Sequence, residues 1–188
     1  MLADPRAQFA LARQLQTPAG APLGDVFAFL SALYFRGKLA YAHAFARTPP
    51  GLPGVLVITP GDGLCRDGER ITAQRLRALG TVPIDHENPY YSEPLVRDAR
   101  ALEQLGGDEA RFVLLGSVAS AKYVKPLLSV FGERLLFPSD FVGRGDMSRG
   151  GLLLRAAREG RELPYSPVHG AVLRGRRPPR LPKLRRTS

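Results

Sequence analysis

The fold prediction starts from Val55-Leu56-Val57-Ile58-Thr59-Pro60-Gly61-Asp62-Gly63-Leu64. Its first five residues form a continuous, mostly β-branched apolar run, which is typical of a strand that is covered on both faces. A glycine-rich turn follows at once, and ligands of open parallel sheets gather where the strands end. Asp62 is therefore a candidate catalytic residue for activating water, although Gly-Asp-Gly is also a common turn.

Strand and helix patterns alternate along the rest of the chain. Three more strand candidates are Thr81–Ile84, Phe112–Leu115 and Leu135–Phe137. Helical periodicity is found at Thr72–Leu79, Pro94–Leu105, Lys122–Phe131 and Arg149–Glu159. Strands that alternate with helices predict an α/β fold, with a doubly wound, mainly parallel sheet of about four strands and helices on both faces.

The chain before this sheet is predicted to be helical. Asp25 is a plausible N-cap of a long helix that runs to about Ala46, with Gly37 as a point of interruption. We expect three parts in all: a helical N-terminal extension with a linker (residues 1–22), a single α/β domain (residues 23–163) and a basic tail rich in proline and arginine (residues 164–188).

The net charge of +10 lies mostly in this tail. No acidic residue follows Glu162, and the cations after it contribute +7 of the +10, which leaves +3 for residues 1–173. A run of cations without acids attracts polyanions, so the expected partner is nucleic acid or a phosphorylated small molecule. The cations are Arg174, Arg176, Arg177, Arg180, Lys183, Arg185 and Arg186.

The sequence also argues against several classes of protein. No apolar run reaches the roughly 18–20 residues that span a bilayer, and no basic stretch leads into an apolar core as in a signal peptide. We therefore expect a cytoplasmic protein with no membrane partner. The lone Cys65 cannot form an internal disulfide. Three scattered histidines and one cysteine give no metal-ligand spacing, so we expect no metal and no cofactor.

Two strand-to-helix junctions are candidates for anion binding, because free backbone N–H groups and the positive end of a helix converge there. The first junction is Gly116–Lys122, where Gly116 permits a tight turn. Ser117, Ser120 and Lys122 supply two hydroxyls and a charge for a phosphate or carboxylate. The alternative interpretation is an N-capped helix with a solvated lysine.

The second junction is Phe141–Gly151, which places Gly150 and Gly151 in the first turn of a predicted helix. Each glycine costs a helix about 1 kcal/mol relative to alanine, so local stability does not explain the pair. Close backbone approach by a ligand or a neighbouring strand does, and the alternative is tight helix-on-sheet packing with surface arginines. The predicted ligand-binding residues are Arg144, Ser148, Arg149 and Gly150, and Asp146 is the second candidate catalytic residue.

A third segment, Tyr34-Phe35-Arg36-Gly37-Lys38-Leu39-Ala40-Tyr41, interleaves aromatic residues with cations. Such mixing can bind nucleic acid. Its helical context equally predicts cations whose aliphatic side-chain carbons lie along the edge of the hydrophobic core while the charges stay in solvent.

The order of these features resembles small bacterial α/β domains of the uracil-DNA-glycosylase-like type, which include modules associated with tRNA-modifying transglycosylases. The resemblance covers about residues 30–155. It is carried by the Leu33-Tyr34-Phe35-Arg36 helix, the Thr59–Leu64 strand end, the Gly116 turn with its Lys122-Tyr123-Val124 helix, and the Pro138–Gly151 loop. The glycosylase motifs Gly-Gln-Asp-Pro-Tyr and His-Pro-Ser are absent, so the resemblance implies a nucleotide-shaped pocket and transfers no catalytic residue.

The leading hypothesis is a nucleotide or nucleic-acid ligand held at the carboxyl ends of the strands. Chemistry there would take place at a glycosidic bond, with Asp62 or Asp146 polarising water. The first alternative is a non-enzymatic accessory protein that binds nucleic acid. The second is a small-molecule sensor or partner-binding protein.

Overall fold

The computed structural model describes residues 2–171, 175–176 and 178–179, so part of the predicted tail lies outside the described residues. The helices are α1 (Ala10–Gln16), α2 (Leu23–Leu30), α3 (Ala32–Phe45), α4 (Ala73–Leu79), α5 (Pro89–Gly106), α6 (Ala121–Phe131) and α7 (Asp146–Glu159). The strands are β1 (Ala21–Pro22), β2 (Leu56–Thr59), β3 (Gly63–Arg66), β4 (Arg70–Ile71), β5 (Phe112–Val113), β6 (Leu135–Pro138) and β7 (Tyr165–Pro167).

These strands form three small separate sheets, so the predicted doubly wound, mainly parallel sheet of about four strands is wrong. β1 pairs with β4 and β2 with β3, both antiparallel. In the third sheet β6 lies between β5 and β7, parallel to β5 and antiparallel to β7. The one parallel pair is joined by α6, which matches the predicted strand–helix–strand order around Phe112 and Leu135.

The turn after β2 explains why the first predicted strand does not enter a parallel sheet. Gly61 and Gly63 have φ angles of +85° and +72°, a conformation that favours glycine, and the chain reverses direction between them. Thr59 pairs with Gly63 across the hairpin, and its hydroxyl donates to the Gly63 carbonyl over 3.0 Å. The glycine-rich segment thus closes a β-hairpin and does not lead into a crossover helix.

Two other predicted elements also differ. The strand predicted at Thr81–Ile84 is a turn between α4 and α5, with backbone hydrogen bonds from Thr81 and Val82 back to the end of α4. The long helix predicted after Asp25 is divided at Ser31, not at Gly37. Gly37 is an interior residue of α3.

The buried residues form two clusters. The larger one joins α3, α5, α6 and α7 to the three-stranded sheet and includes Tyr41, Tyr91, Leu95, Phe137 and Phe141. The smaller one joins the N-terminal residues to β2, β3 and β4, through side chains such as Leu15, Val26 and Ile71. The predicted N-terminal extension therefore shares a core with the hairpin.

Helices α3 and α7 cross with their backbones in direct contact at Gly37 and Gly150. A Cβ atom added at Gly37 would lie 2.6 Å from the Gly150 carbonyl oxygen, and one added at Gly150 would lie 2.8 Å from Tyr34 Cα. The two backbones are in contact with no side chain between them. The close approach predicted at Gly150 is thus made by a helix.

Gly150→Ala should lower the free energy of unfolding by about 1–3 kcal/mol, because the new methyl group has no space at the crossing. This loss is expected even though alanine favours a helix over glycine by about 1 kcal/mol. Gly68→Ala is the matched control, since a Cβ there meets nothing within 4 Å, and it should change stability by less than about 0.5 kcal/mol. Urea unfolding measures both, and equal effects of the two substitutions would contradict the crossing.

Candidate functional site

The crossing of α3 and α7 brings a cation from each helix to the same place. Lys38 follows Gly37 on α3, and Arg149 precedes Gly150 on α7. Each helix also contributes one more polar side chain there, Tyr34 from α3 and Asp146 from α7. We call Tyr34, Lys38, Asp146 and Arg149 the crossing cluster.

Arg149 is the buried member of the crossing cluster, with 7% of its surface exposed. Its Nε and Nη2 atoms both donate to the Phe141 carbonyl oxygen over 3.3 Å, and its guanidinium lies 5.4 Å from the Phe141 ring centroid. Its Nη1 atom is 3.6 Å from a carboxylate oxygen of Asp146. Arg149 therefore ties the start of α7 to the loop before it.

Lys38 carries the least compensated charge of the crossing cluster. Its amino group lies 4.1 Å from the Tyr34 ring centroid and 5.7 Å from that of Phe35, which are cation–π distances. It makes no hydrogen bond and no ion pair with any residue that the structure describes. Burial lowers the pKa of Lys38 to about 8, an effect that Asp146 opposes and the positive charge of Arg149 strengthens.

Tyr34 connects this cluster to the first predicted junction. Its hydroxyl donates to the Leu115 carbonyl oxygen over 3.1 Å. Burial raises the pKa of Tyr34 to about 12, although Arg149 acts in the opposite direction. The residue just before the first predicted junction, Leu115, therefore contacts α3, and the second junction contacts α3 through Gly150.

The first junction lies beside Tyr34 but makes few internal contacts. Ser120 precedes α6 without a side-chain capping bond, and its amide donates to the Ser117 carbonyl over 3.4 Å. A Cβ at Gly116 would contact the Leu114 side chain and reach the edge of the Tyr123 ring at 4.0 Å. Lys122 extends over that same ring, 5.1 Å from its centroid.

The loop before α7 is organised by Arg144. Its Nε atom donates to the Asp140 carbonyl over 3.0 Å, and its Nη1 atom donates to the Ser148 hydroxyl over 3.3 Å. Arg144 and Ser148 are thus joined at the first turn of α7, next to Arg149.

Asp62, the other predicted catalytic carboxylate, is in a different part of the molecule. It accepts from Arg75 Nε over 2.8 Å, and the same guanidinium donates to Glu69 over 2.6 Å. These bonds raise the pKa of Arg75 and tie the β2–β3 hairpin to α4. Of the two candidates, only Asp146 belongs to the crossing cluster.

A surface depression of about 650 Å³ also lies apart from the predicted ligand residues. It is lined by the turn before α5, with Pro83, Asp85 and the exposed Tyr90 among its residues. Next to it the Lys125 ammonium donates to His86 Nε2 over 2.8 Å, and His86 Nδ1 is 3.1 Å from a carboxylate oxygen of Asp85. This depression contains carboxylates and no cation, which does not suit a phosphate.

Comparison with known proteins finds no matching family model, no matching curated protein and no matching solved structure. Within residues 2–171 and the two short tail segments, no helix combines the length and apolarity needed to cross a membrane. Nor do three or more His, Cys, Asp or Glu side chains of those residues gather as a metal-binding group.

Lys38 and Tyr34 are not among the site residues that the sequence predicts. Their segment carried a signal, since it alternates aromatic residues and cations around Gly37. What the sequence could not reveal is the partner helix, because the contact joins residues more than 100 positions apart. That contact partly buries Lys38 and brings it close enough to Arg149 for the two charges to interact.

Lys38 should make stability depend on pH. Its pKa is about 8 in the folded protein and 10.5 in the unfolded chain, so between these values the unfolded chain binds more protons. The free energy of unfolding should therefore rise with pH, by about 2 kcal/mol between pH 7 and 9.5, and Lys38→Met should remove this rise.

Urea unfolding at several pH values measures the effect, with Lys125→Met as a control that keeps the rise because Lys125 is exposed. The series ends at pH 9.5, since the raised pKa of Tyr34 lowers stability once unfolded tyrosine ionises near pH 10. The same pH dependence in Lys38→Met and the wild type would contradict the placement of Lys38.

Proposed function

We propose that this protein binds a phosphate-bearing ligand, a nucleotide or a nucleic-acid strand, at the crossing cluster. The observation that carries the proposal is the Lys38 amino group, which is partly buried and has no hydrogen-bond acceptor among the described residues. A partly buried charge without a partner is costly, and an anion bound there would offset the cost.

The charges around Lys38 favour an anion of more than one negative charge. Arg149 is a second cation of the same cluster, and its Nε and Nη2 atoms already donate to the Phe141 carbonyl oxygen. Among the described carboxylates, Asp146 is the one that acts on the pKa of Lys38, and it lies beside Arg149 with 67% of its side chain exposed. Lys38 is only partly buried, so a phosphate can approach its amino group from the solvent side.

Aromatic rings beside these cations favour a nucleotide over inorganic phosphate. The Tyr34 ring lies under the Lys38 amino group, and the Tyr123 ring lies under that of Lys122. Ring faces next to cations are the combination that holds bases by stacking while the charges hold phosphates.

The surroundings of the two predicted catalytic carboxylates favour ligand binding as the function, rather than cleavage of a glycosidic bond. Asp62 is engaged by Arg75, and Asp146 is exposed beside Arg149. A general base works best in a site that excludes water, whereas 35% of the Asp62 side chain and 67% of the Asp146 side chain are exposed. A non-enzymatic accessory protein that binds nucleic acid therefore agrees better with this geometry than an enzyme that acts on a glycosidic bond.

Lys38→Met should weaken the binding of uridine 5′-monophosphate at least about tenfold, because it removes the partly buried charge and keeps the length of the side chain. Wild-type affinity should also fall as the pH rises from 7 to 9, since Lys38 loses its proton in that range, and the variant should not show this dependence. NMR titration at pH 7 and pH 9 measures both effects.

Arg158→Gln is the charge-matched control, because Arg158 is exposed at the other end of α7. It should change the affinity less than twofold. Equal losses in the two variants would mean that the nucleotide responds only to net charge, and an absence of binding to the wild type would overturn the proposal.

A further inference from the structure

We propose that the Lys38 amino group is a modification site that takes an acyl group from an acyl phosphate. In an acyl phosphate the reactive carbonyl carbon is one oxygen atom away from the phosphate group. The reaction therefore needs an amine that is free to react and a cation beside it that attracts the phosphate. This inference rests on the proposed function for the binding of the phosphate, and it adds a modification that switches that binding off.

The free amine is Lys38. Its side chain is partly buried, and its amino group makes no hydrogen bond and no ion pair with any residue that the structure describes. Its neighbours are the rings of Tyr34 and Phe35, with centroids at 4.1 Å and 5.7 Å. Among the described residues, no hydrogen bond has to break before the nitrogen can attack a carbonyl carbon.

The cation beside this amine is Arg149. A guanidinium stays protonated in proteins, and Arg149 lies close enough for its charge to act on Lys38. Burial and this neighbouring charge both favour the neutral, nucleophilic form of the Lys38 amine. The same charge attracts the phosphate group and stabilises it as it leaves. One cation of the crossing cluster therefore holds the anion while the other group reacts.

The reaction is an acyl transfer. After the ammonium has lost one proton to solvent, the Lys38 nitrogen attacks the carbonyl carbon and a C–N bond forms. The bond between that carbon and the phosphate oxygen breaks, and the phosphate leaves with the electron pair. The second nitrogen proton passes to solvent. The products are inorganic phosphate and an uncharged amide, so the acylated side chain no longer offers a charge to the proposed ligand.

Lys122 provides an internal comparison within the same chain. It is also partly buried, and its amino group lies 5.1 Å from the centroid of the Tyr123 ring without a hydrogen bond to a described residue. Lys122 is on α6, however, whereas Arg149 reaches Lys38 from the helix that crosses α3. An aromatic neighbour alone therefore does not distinguish the two lysines, and faster acylation of Lys38 reports on the crossing cluster.

The test treats the full chain with acetyl phosphate at about pH 7.5 and measures acetylation of each lysine by cleavage after arginine and mass spectrometry. Lys38 should react at least about fivefold faster than Lys122 and Lys125. The reason is that roughly a quarter of an amine with a pKa of about 8 is neutral at this pH, against about one in a thousand for an ordinary lysine. With para-nitrophenyl acetate, a donor without phosphate, the preference for Lys38 should be at least about twofold smaller.

Asp146→Asn should increase the rate at Lys38 at least about twofold and leave the rate at Lys122 unchanged, because the Asp146 carboxylate favours the ammonium form and repels the phosphate. Glu159→Gln is the charge-matched control, since Glu159 is exposed at the other end of α7, and it should leave both rates unchanged. Saturating uridine 5′-monophosphate should slow the acetylation of Lys38 at least about threefold and not that of Lys122.

Three results would overturn the acylation site. They are equal rates at Lys38 and Lys122, an equal preference for Lys38 with both acyl donors, and equal responses to Asp146→Asn and Glu159→Gln. A wild type that binds the mononucleotide but shows no acetylation of Lys38 would remove the acylation and leave the proposed function supported. Selective acetylation of a protein that does not bind the mononucleotide would support the acylation site and count against the proposed function.

Discussion

The contact between the backbones of α3 and α7 is the constraint on which the candidate site depends. Because Gly37 and Gly150 have no side chains, the two helices touch, and the residues next to them are held at a fixed distance. Lys38 and Arg149 are those neighbours. Packing therefore places two cations close together, and among the residues that the structure describes Asp146 supplies the nearby negative charge.

Other parts of the fold reinforce this arrangement. Arg149 is anchored to the Phe141 carbonyl, and Tyr34 is anchored to the Leu115 carbonyl, so neither side chain can turn away without leaving a polar atom unpaired. Phe141 itself is fully buried in the larger core. The site thus consists of rigid groups around one amine that is free to accept a partner, which is the preorganisation that lowers the cost of binding.

Individual strands and helices could mostly be predicted from the sequence, whereas most of the contacts between them could not. The strands at Phe112 and Leu135 were recognised because a helical pattern of suitable length separates them, as a parallel pair requires. The strand at Leu56–Thr59 was also recognised, but its pairing was wrong, because the outcome depended on the φ angles of Gly61 and Gly63. For Gly150, helix energetics indicated a close approach, while the partner, α3, could be identified only from the folded chain. For the same reason, the sequence does not predict Lys38 as a site residue.

The most direct test of the account is an NMR titration of the lysine side chains, with and without a saturating mononucleotide. The chain has four lysines, Lys38, Lys122, Lys125 and Lys183, so the signals can be assigned with single Lys→Arg substitutions. The account predicts a pKa near 8 for Lys38 in the free protein and a clear increase when the mononucleotide binds. A Lys38 pKa near 10.5 that does not respond to the mononucleotide would contradict it.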